Sequence, residues 1–168
     1  MIEHWDLYDE QLNTTGKTIT KFEEIPDGFY HLAVEVWIVN KKKEVLILRN
    51  AIDYALLYPD TWCCIGGNLL SKEKVEDAIK RITKDKIGIE INTEDIIINE
   101  PVKRDPHKYA YITCIVFEDI NLKNIKLKDS YIEAKYVDQK ELIKMCNNGE
   151  IAYYLIERIN KEISNYLK

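Results

Sequence analysis

Short runs of alternating or continuous apolar residues, punctuated by glycine, proline and polar clusters, fill the first half of the chain. His4 to Asp9 and Lys17 to Thr20 flank the polar turn Asn13-Thr14-Thr15-Gly16, which predicts a β-hairpin over about residues 3–22. His31 to Asn40 is rich in β-branched and aromatic residues, and Lys41 to Lys43 turn it into Glu44 to Arg49, predicting a second hairpin. Residues 51–61 lack a period and read as a loop. Trp62 to Ile65 is a short apolar run ending at Gly66-Gly67.

Beyond the glycines the period changes. Val75, Ala78, Ile79 and Ile82 fall on one helical stripe, with Ser71 as the expected cap, acids in the first turns and Gly88 past the end. This predicts a helix over about 72–87. Ile96 to Val102, Tyr109 to Phe117 and Glu133 to Val137 read as strands, and Gln139 to Cys146 as a helix. After the break Asn147-Asn148-Gly149, a terminal helix is expected over about 150–167. Strands, a central helix, more strands and a terminal helix imply an α/β (α+β) fold with a mixed central sheet covered by helices on both faces.

The chain has 168 residues, with 24 Lys and Arg against 29 Asp and Glu, giving a net charge of −5. That length suits one domain, residues 1–168, with a core large enough to need no disulfide. An acidic chain with no basic run longer than Lys41-Lys42-Lys43 argues against a nucleic-acid partner. No apolar run reaches the roughly 18 residues of a membrane span, and the N-terminus lacks the basic and apolar segments of a signal peptide, so a cytoplasmic protein is expected. Cys63, Cys64, Cys114 and Cys146 form no CxxC pair and read as buried thiols.

Candidate chemistry concentrates between Gly66 and Ile89. Two glycines before a helix let backbone approach a ligand closely, and a helix N-terminus favours phosphate. Here the spacing resembles the signature of the Nudix hydrolases: Gly67, then Glu73 after five residues, Arg81 after seven more, and Gly88-Ile89 closing the motif. The N-terminal segment Trp5 to Asp9 is similar to a subgroup that includes the isopentenyl-diphosphate isomerases. The resemblance implies a Nudix-type α/β/α sandwich. It also implies hydrolysis of a nucleoside diphosphate linked to another moiety, with Mg²⁺ or Mn²⁺ assisting attack by water.

Three glutamates of that signature correspond to Ile82, Asp85 and Lys86, so only one carboxylate remains. The catalytic candidates carried over are Glu73, Arg81 and Asp85, with Asp85 and Glu73 as the metal candidates. The substrate-binding candidates are Gly66, Gly67, Lys86, Tyr54 and Arg49. Arg81 is also within reach of Asp77 and Asp85 at i−4 and i+4, which predicts an exposed ladder Glu73–Asp77–Arg81–Asp85. Tyr58, Tyr109 and Tyr111 are candidate walls for a base, Trp37 and Trp62 core residues, and Lys103, Arg104 and Lys108 exposed loop cations. The isomerase activity is set aside, because the positions of its cysteine, second histidine and two carboxylates carry Gly66, Asn68, Ala110 and Ile112. An inactive nucleotide-binding or regulatory module, with Lys86 holding phosphate in place of a metal, is the alternative. A homodimer formed through the N-terminal hairpin or the C-terminal helix is a further reading.

Overall fold

The computed structural model describes residues 1–53 and 58–168. The first hairpin is present as β1 (His4–Tyr8) and β2 (Thr14–Thr20), paired antiparallel as a separate two-stranded sheet. Among the described residues the main sheet has eight strands. Its centre is β3 (His31–Val39), which pairs in parallel with β9 (Tyr109–Phe117) over nine residues, from His31↔Tyr109 to Val39↔Phe117. Both strands are near-continuous apolar runs, as expected of strands covered on both faces.

The second hairpin is unusual. β3 and β4 (Val45–Asn50) share only the pair Val39↔Val45 and then diverge. The two edges are taken by β5 (Trp62–Cys63), which pairs β4, and β6 (Ile65–Asn68), which pairs β3. Cys64 carries the chain across the gap. β10 (Tyr131–Val137) completes the β4 side, while β7 (Ile96–Ile98) and β8 (Val102–Arg104) both pair β9. The run expected as one strand, Ile96 to Val102, is therefore two. Pro101 has no N–H to give a ladder, and the chain passes from one stretch of β9 to another around it.

Helices flank this mixed sheet, as the residue pattern implied. α1 (Val75–Ile87) buries Ala78, Ile79, Ile82 and Ile87 and ends at Gly88 in the left-handed region, φ 71°. It starts three residues later than expected. The Ser71 hydroxyl donates to Asp6 of β1 at 2.6 Å and its N–H to the His4 carbonyl at 2.7 Å, so Ser71 ties the loop to the N-terminal hairpin instead of capping the helix. Lys74 takes the cap position without a side-chain bond.

α2 (Gln139–Asn147) is capped by Asp138, whose side chain accepts from the Glu141 N–H. The C-terminal segment is not one helix over 150–167. Trp62 N–H bonds the Glu150 carbonyl and Ala152 N–H the Trp62 carbonyl, both at 2.8 Å, so residues 150–152 are extended against β5. A 3₁₀ turn (Tyr153–Leu155), α3 (Ile156–Lys161) and a second 3₁₀ turn (Ile163–Leu167) follow, broken at Glu162 with φ −122° and ψ −61°. All four cysteines are free and buried.

One charged contact lies inside this packing. Arg158 of α3, 2% exposed, faces Glu35 of β3, with Nε 2.9 Å from Oε2. Its guanidinium also lies 3.5 Å from the Tyr111 ring centroid. Removing one member of a buried pair costs about 3–5 kcal/mol, whereas apolar replacement of both is often neutral. Arg158→Met is thus expected to lower unfolding free energy by about that amount, and Glu35→Leu with Arg158→Met to recover most of it in urea titrations. A double variant no more stable than the single one would contradict this.

Candidate functional site

The loop between β6 and α1 is built around Arg81. Its Nε and Nη2 donate to the two oxygens of Glu73 at 2.6 and 2.8 Å, and Nη2 also donates to the Asn68 carbonyl at 2.8 Å. Glu73 accepts a further bond from the Leu70 N–H at 2.9 Å. Burial on its own would raise the Glu73 pKa, but the bonds from Arg81 and Leu70 outweigh it and hold the carboxyl below its ordinary range. The expected ladder through Asp77 and Asp85 is not what forms. Because α1 begins at Val75, Glu73 lies in a loop folded back over the helix, where a two-bonded arginine gains more than from exposed helical neighbours.

Asp85 is engaged elsewhere. Lys128 Nζ lies 3.0 Å from both of its oxygens, and Lys86 Nζ lies 3.6 Å from Oδ2. Lys128 is positioned by backbone, since its N–H bonds the Lys86 carbonyl at 3.0 Å and the Lys126 N–H bonds the Ile87 carbonyl at 2.8 Å. Burial raises the Asp85 pKa and the two ammonium groups more than reverse that. Ile82 is 2% exposed, and a Cβ at Gly67 would come within 3.0 Å of its Cγ1, so α1 rests on the bare backbone of β6.

Magnesium and manganese take several oxygen ligands, mainly carboxylates, phosphates and water. Here one signature position is an aliphatic core residue, another is a lysine, the remaining aspartate is held by two ammonium groups, and the oxygens of Glu73 are occupied. Among the described residues no group of three or more His, Cys, Asp or Glu is arranged to hold a metal ion. The donor set does not fit the divalent ion that the resemblance implies.

Where β3 and β4 part, a cavity of about 410 Å³ opens. Gly66 and Gly67 line it, together with His31 and Glu35 of β3, Arg104 of β8 and Tyr109 of β9. Tyr58, Tyr131, Tyr154 and His107 add further rings, and Asn50 and Asn68 add amides. His31 stacks on Trp5 of β1, with centroids 4.4 Å apart and planes at 17°. Burial pushes its pKa down to about 4, so its ring is neutral at pH 7. Glu35 is pushed the other way, to about 7, by burial that Arg158 only partly offsets.

Of the residues picked from sequence, Gly66 and Gly67 belong to the cavity, whereas Glu73, Arg81 and Asp85 lie outside its lining. Lys86 is outside the lining as well, though its charge bears on Cys63, which lines it. Arg49 is paired with Asp60 at 2.6 Å and Glu133 at 3.7 Å and does not reach the cavity. Tyr54 lies outside the described residues. Trp37 and Trp62 are core residues as expected. Tyr111 packs against Arg158 rather than lining the cavity. Arg104, read as an exposed loop cation, is a wall residue. Lys128 and Glu35 were missed. Lys128 had no local signal, but Glu35 is the one acid in the apolar run His31 to Val39 and was open to notice.

No family model matches the chain. Over 167 residues, 94% of each chain, it is 28% identical to a protein of Listeria monocytogenes named as an uncharacterized Nudix hydrolase. Over 97 residues, 56% of this chain and 52% of the other, it is 31% identical to the isopentenyl-diphosphate Delta-isomerase of Shigella boydii. A crystal structure from Deinococcus radiodurans superposes with a TM-score of 0.74 at 17% identity, covering 95% of this chain and 98% of that one. The NUDIX domain of Shewanella oneidensis NrtR, complexed with ADP ribose, superposes with a TM-score of 0.59 at 14% identity over 77% and 83% of the two chains.

A titration test follows from His31. Its folded pKa of about 4 lies below its ordinary 6.5, so the stability it contributes is present above about 6.5 and is lost as pH falls through about 4. Glu35 works in the opposite sense, contributing stability below its ordinary 4.5 that is lost as pH rises through about 7, but it is common to wild type and a His31 variant. The Tm advantage of wild type over His31→Gln is therefore expected to shrink between pH 7.5 and pH 5. A pH-independent difference would mean that His31 is not held neutral.

Proposed function

We propose that the chain is a hydrolase of the Nudix type, acting on nucleoside diphosphates linked to another moiety, with a turnover far below that of an intact signature; its likeness to the Listeria monocytogenes protein and its fold support this. The observation that carries the reading is the double membership of Gly67, which opens the signature spacing and also lines the 410 Å³ cavity. A ligand whose flat half enters the ring-lined cavity has its diphosphate directed over Gly66 and Gly67, whose lack of side chains permits close approach. ADP ribose, bound by the Shewanella oneidensis domain, is a compound of this class.

The chain's own residues then have separate tasks. The Arg81–Glu73 pair holds the loop after Asn68 in one shape. Lys86 and Lys128 bring positive charge beside Asp85, where a diphosphate needs neutralisation. Ile82 and Lys86 stand where the family signature has glutamates, which is the reason for the low turnover. A second reading, a nucleotide-binding module without catalysis, is favoured by the contact of Lys128 with both Asp85 oxygens.

Both are tested by incubating the protein with a panel of nucleoside diphosphate compounds, ADP ribose among them, in Mg²⁺, Mn²⁺ or EDTA. Slow release of monophosphate is expected from wild type. Lys86→Glu combined with Lys128→Ala, which supplies one carboxylate and frees another, is expected to raise Mg²⁺-dependent release about tenfold or more. Wild-type turnover in the usual enzyme range, about 1–10³ s⁻¹, contradicts the degraded-site reading. No turnover in either protein, with equal nucleotide affinity in Mg²⁺ and EDTA, supports the binding module.

A further inference from the structure

The cavity contains a charged group that neither the signature nor the helix accounts for. Glu35 is the only acidic side chain among the described lining residues and is 6% exposed. Its one ion pair among the described residues is with Arg158, which lies outside the lining, through Oε2 at 2.9 Å, and the Trp37 indole also bears on the carboxyl. An ionised carboxylate has about four acceptor positions, so these contacts leave acceptor capacity unused. A buried ion pair is itself a poor stabiliser compared with apolar side chains of the same volume, so packing gives no reason for an acid at this point of an otherwise apolar strand.

The surroundings restrict what such an acceptor can meet. Tyr58 and Tyr154, tilted at 45° to each other, and His107 and Tyr109, tilted at 46°, give aromatic surfaces against which a planar ring can pack. Arg104 and Arg158, which both donate to the Tyr154 carbonyl, bring two positive charges to Glu35 and disfavour a cationic ligand. The remaining partner for a buried acceptor among these rings is a neutral ring with two adjacent N–H donors. We infer that Glu35 is the specificity-determining residue of this cavity, accepting the paired donors of a guanine-type edge, a ring N–H beside an exocyclic amino group. The inference rests on the proposed nucleotide function. Adenine and cytosine put an acceptor beside their amino group, uracil has no amino group, and hypoxanthine keeps the ring N–H alone. Each of them leaves a buried acceptor poorly matched.

Protonation sharpens the discrimination. Charged and titratable groups face Glu35 from every side: Arg158, Tyr154 and Glu162 from the C-terminal segment, and Arg104 from β8. Tyr111 and Cys114 of β9 and Cys64 beside β6 complete the set. Burial and these neighbours leave Glu35 titrating at about 7. Only the ionised form accepts two N–H bonds, so guanine affinity rises with pH through that value.

The test is equilibrium binding of GDP, IDP, ADP, CDP, UDP and 2′-deoxy-GDP to the intact protein in EDTA. At pH 8 GDP is expected to bind about tenfold or more tighter than IDP and ADP. GDP affinity is expected to fall by roughly tenfold per pH unit below about 7, while UDP affinity changes little. Glu35→Gln is expected to abolish the preference for GDP over IDP. Because that variant weakens the partner of a buried arginine, Glu35→Gln with Arg158→Met serves beside it, and the wild-type GDP to IDP ratio needs no substitution. Equal binding of GDP and IDP, with ADP still bound, overturns the inference and leaves the proposed function standing. So does a loss for 2′-deoxy-GDP without any base preference, which would assign the carboxylate to the sugar hydroxyls. Binding of no nucleotide overturns both.

Discussion

After the single pair of Val39 with Val45, β3 and β4 cannot stay together, and each is left with an edge of unpaired N–H and C=O groups inside the protein. Buried backbone must be hydrogen-bonded. The chain meets this constraint with two very short strands, β5 on β4 and β6 on β3, joined through Cys64 across the widening gap. The gap itself becomes the cavity. Its position between two diverging strands brings residues from both halves of the sheet to its walls. Gly66 and Gly67, which pair Glu35 and Val34, both line it, and Gly67 puts bare backbone on the side facing α1. Ile82 then packs onto Gly67 at a spacing that no Cβ would tolerate without movement. The seating of the signature helix and the existence of the cavity are thus two results of one divergence.

Charge is arranged around this frame in two different ways. On the helix side Glu73 and Arg81 satisfy each other and the loop backbone, while Asp85 is covered by Lys128 and Lys86. The lysine contacts are half-exposed and individually worth little, about 0–1 kcal/mol, so they do not hold the fold together. What fixes Lys128 is the backbone bond from its own N–H to the Lys86 carbonyl. On the cavity side the Glu35–Arg158 pair is buried, and losing one member leaves an uncompensated charge. The first arrangement influences whatever anion approaches the helix end, and the second is part of the packing.

Much of this was legible in sequence wherever the signal was local. The strand His31 to Val39, the strand Tyr109 to Phe117, the stripe of α1 and its glycine stop all follow from period and propensity over a few residues. The spacing from Gly67 to Ile89 points to the same family by which the Listeria monocytogenes relative is named, despite the altered glutamate positions. The errors share a cause. Ser71 fails to cap α1 because Asp6, 65 residues away, takes its hydroxyl. Arg81 passes over its helical neighbours because the loop returns Glu73 to it. The terminal segment breaks because Trp62 holds residues 150–152 extended. In two cases a distant partner, and for Arg81 a loop folded back over eight residues, outcompeted a local preference worth a few tenths of a kcal/mol to about 1 kcal/mol.

The C-terminal segment shows what that costs a reading of function. A helix over 150–167 suggests only a cover for the sheet. Extended at Ile151 and then coiled in short pieces, the segment instead brings Tyr154 to the cavity and Arg158 beneath it, where the guanidinium lies between Glu35 and the Tyr111 ring. The lining that Gly66 and Gly67 share with Tyr154 therefore depends on a residue more than eighty positions away from them in the chain. The family signature governs the glycine side of the site alone. Under the proposed function, Arg158 and Tyr154 can change without touching the signature, so the helix and loop can be kept while the recognised group is exchanged.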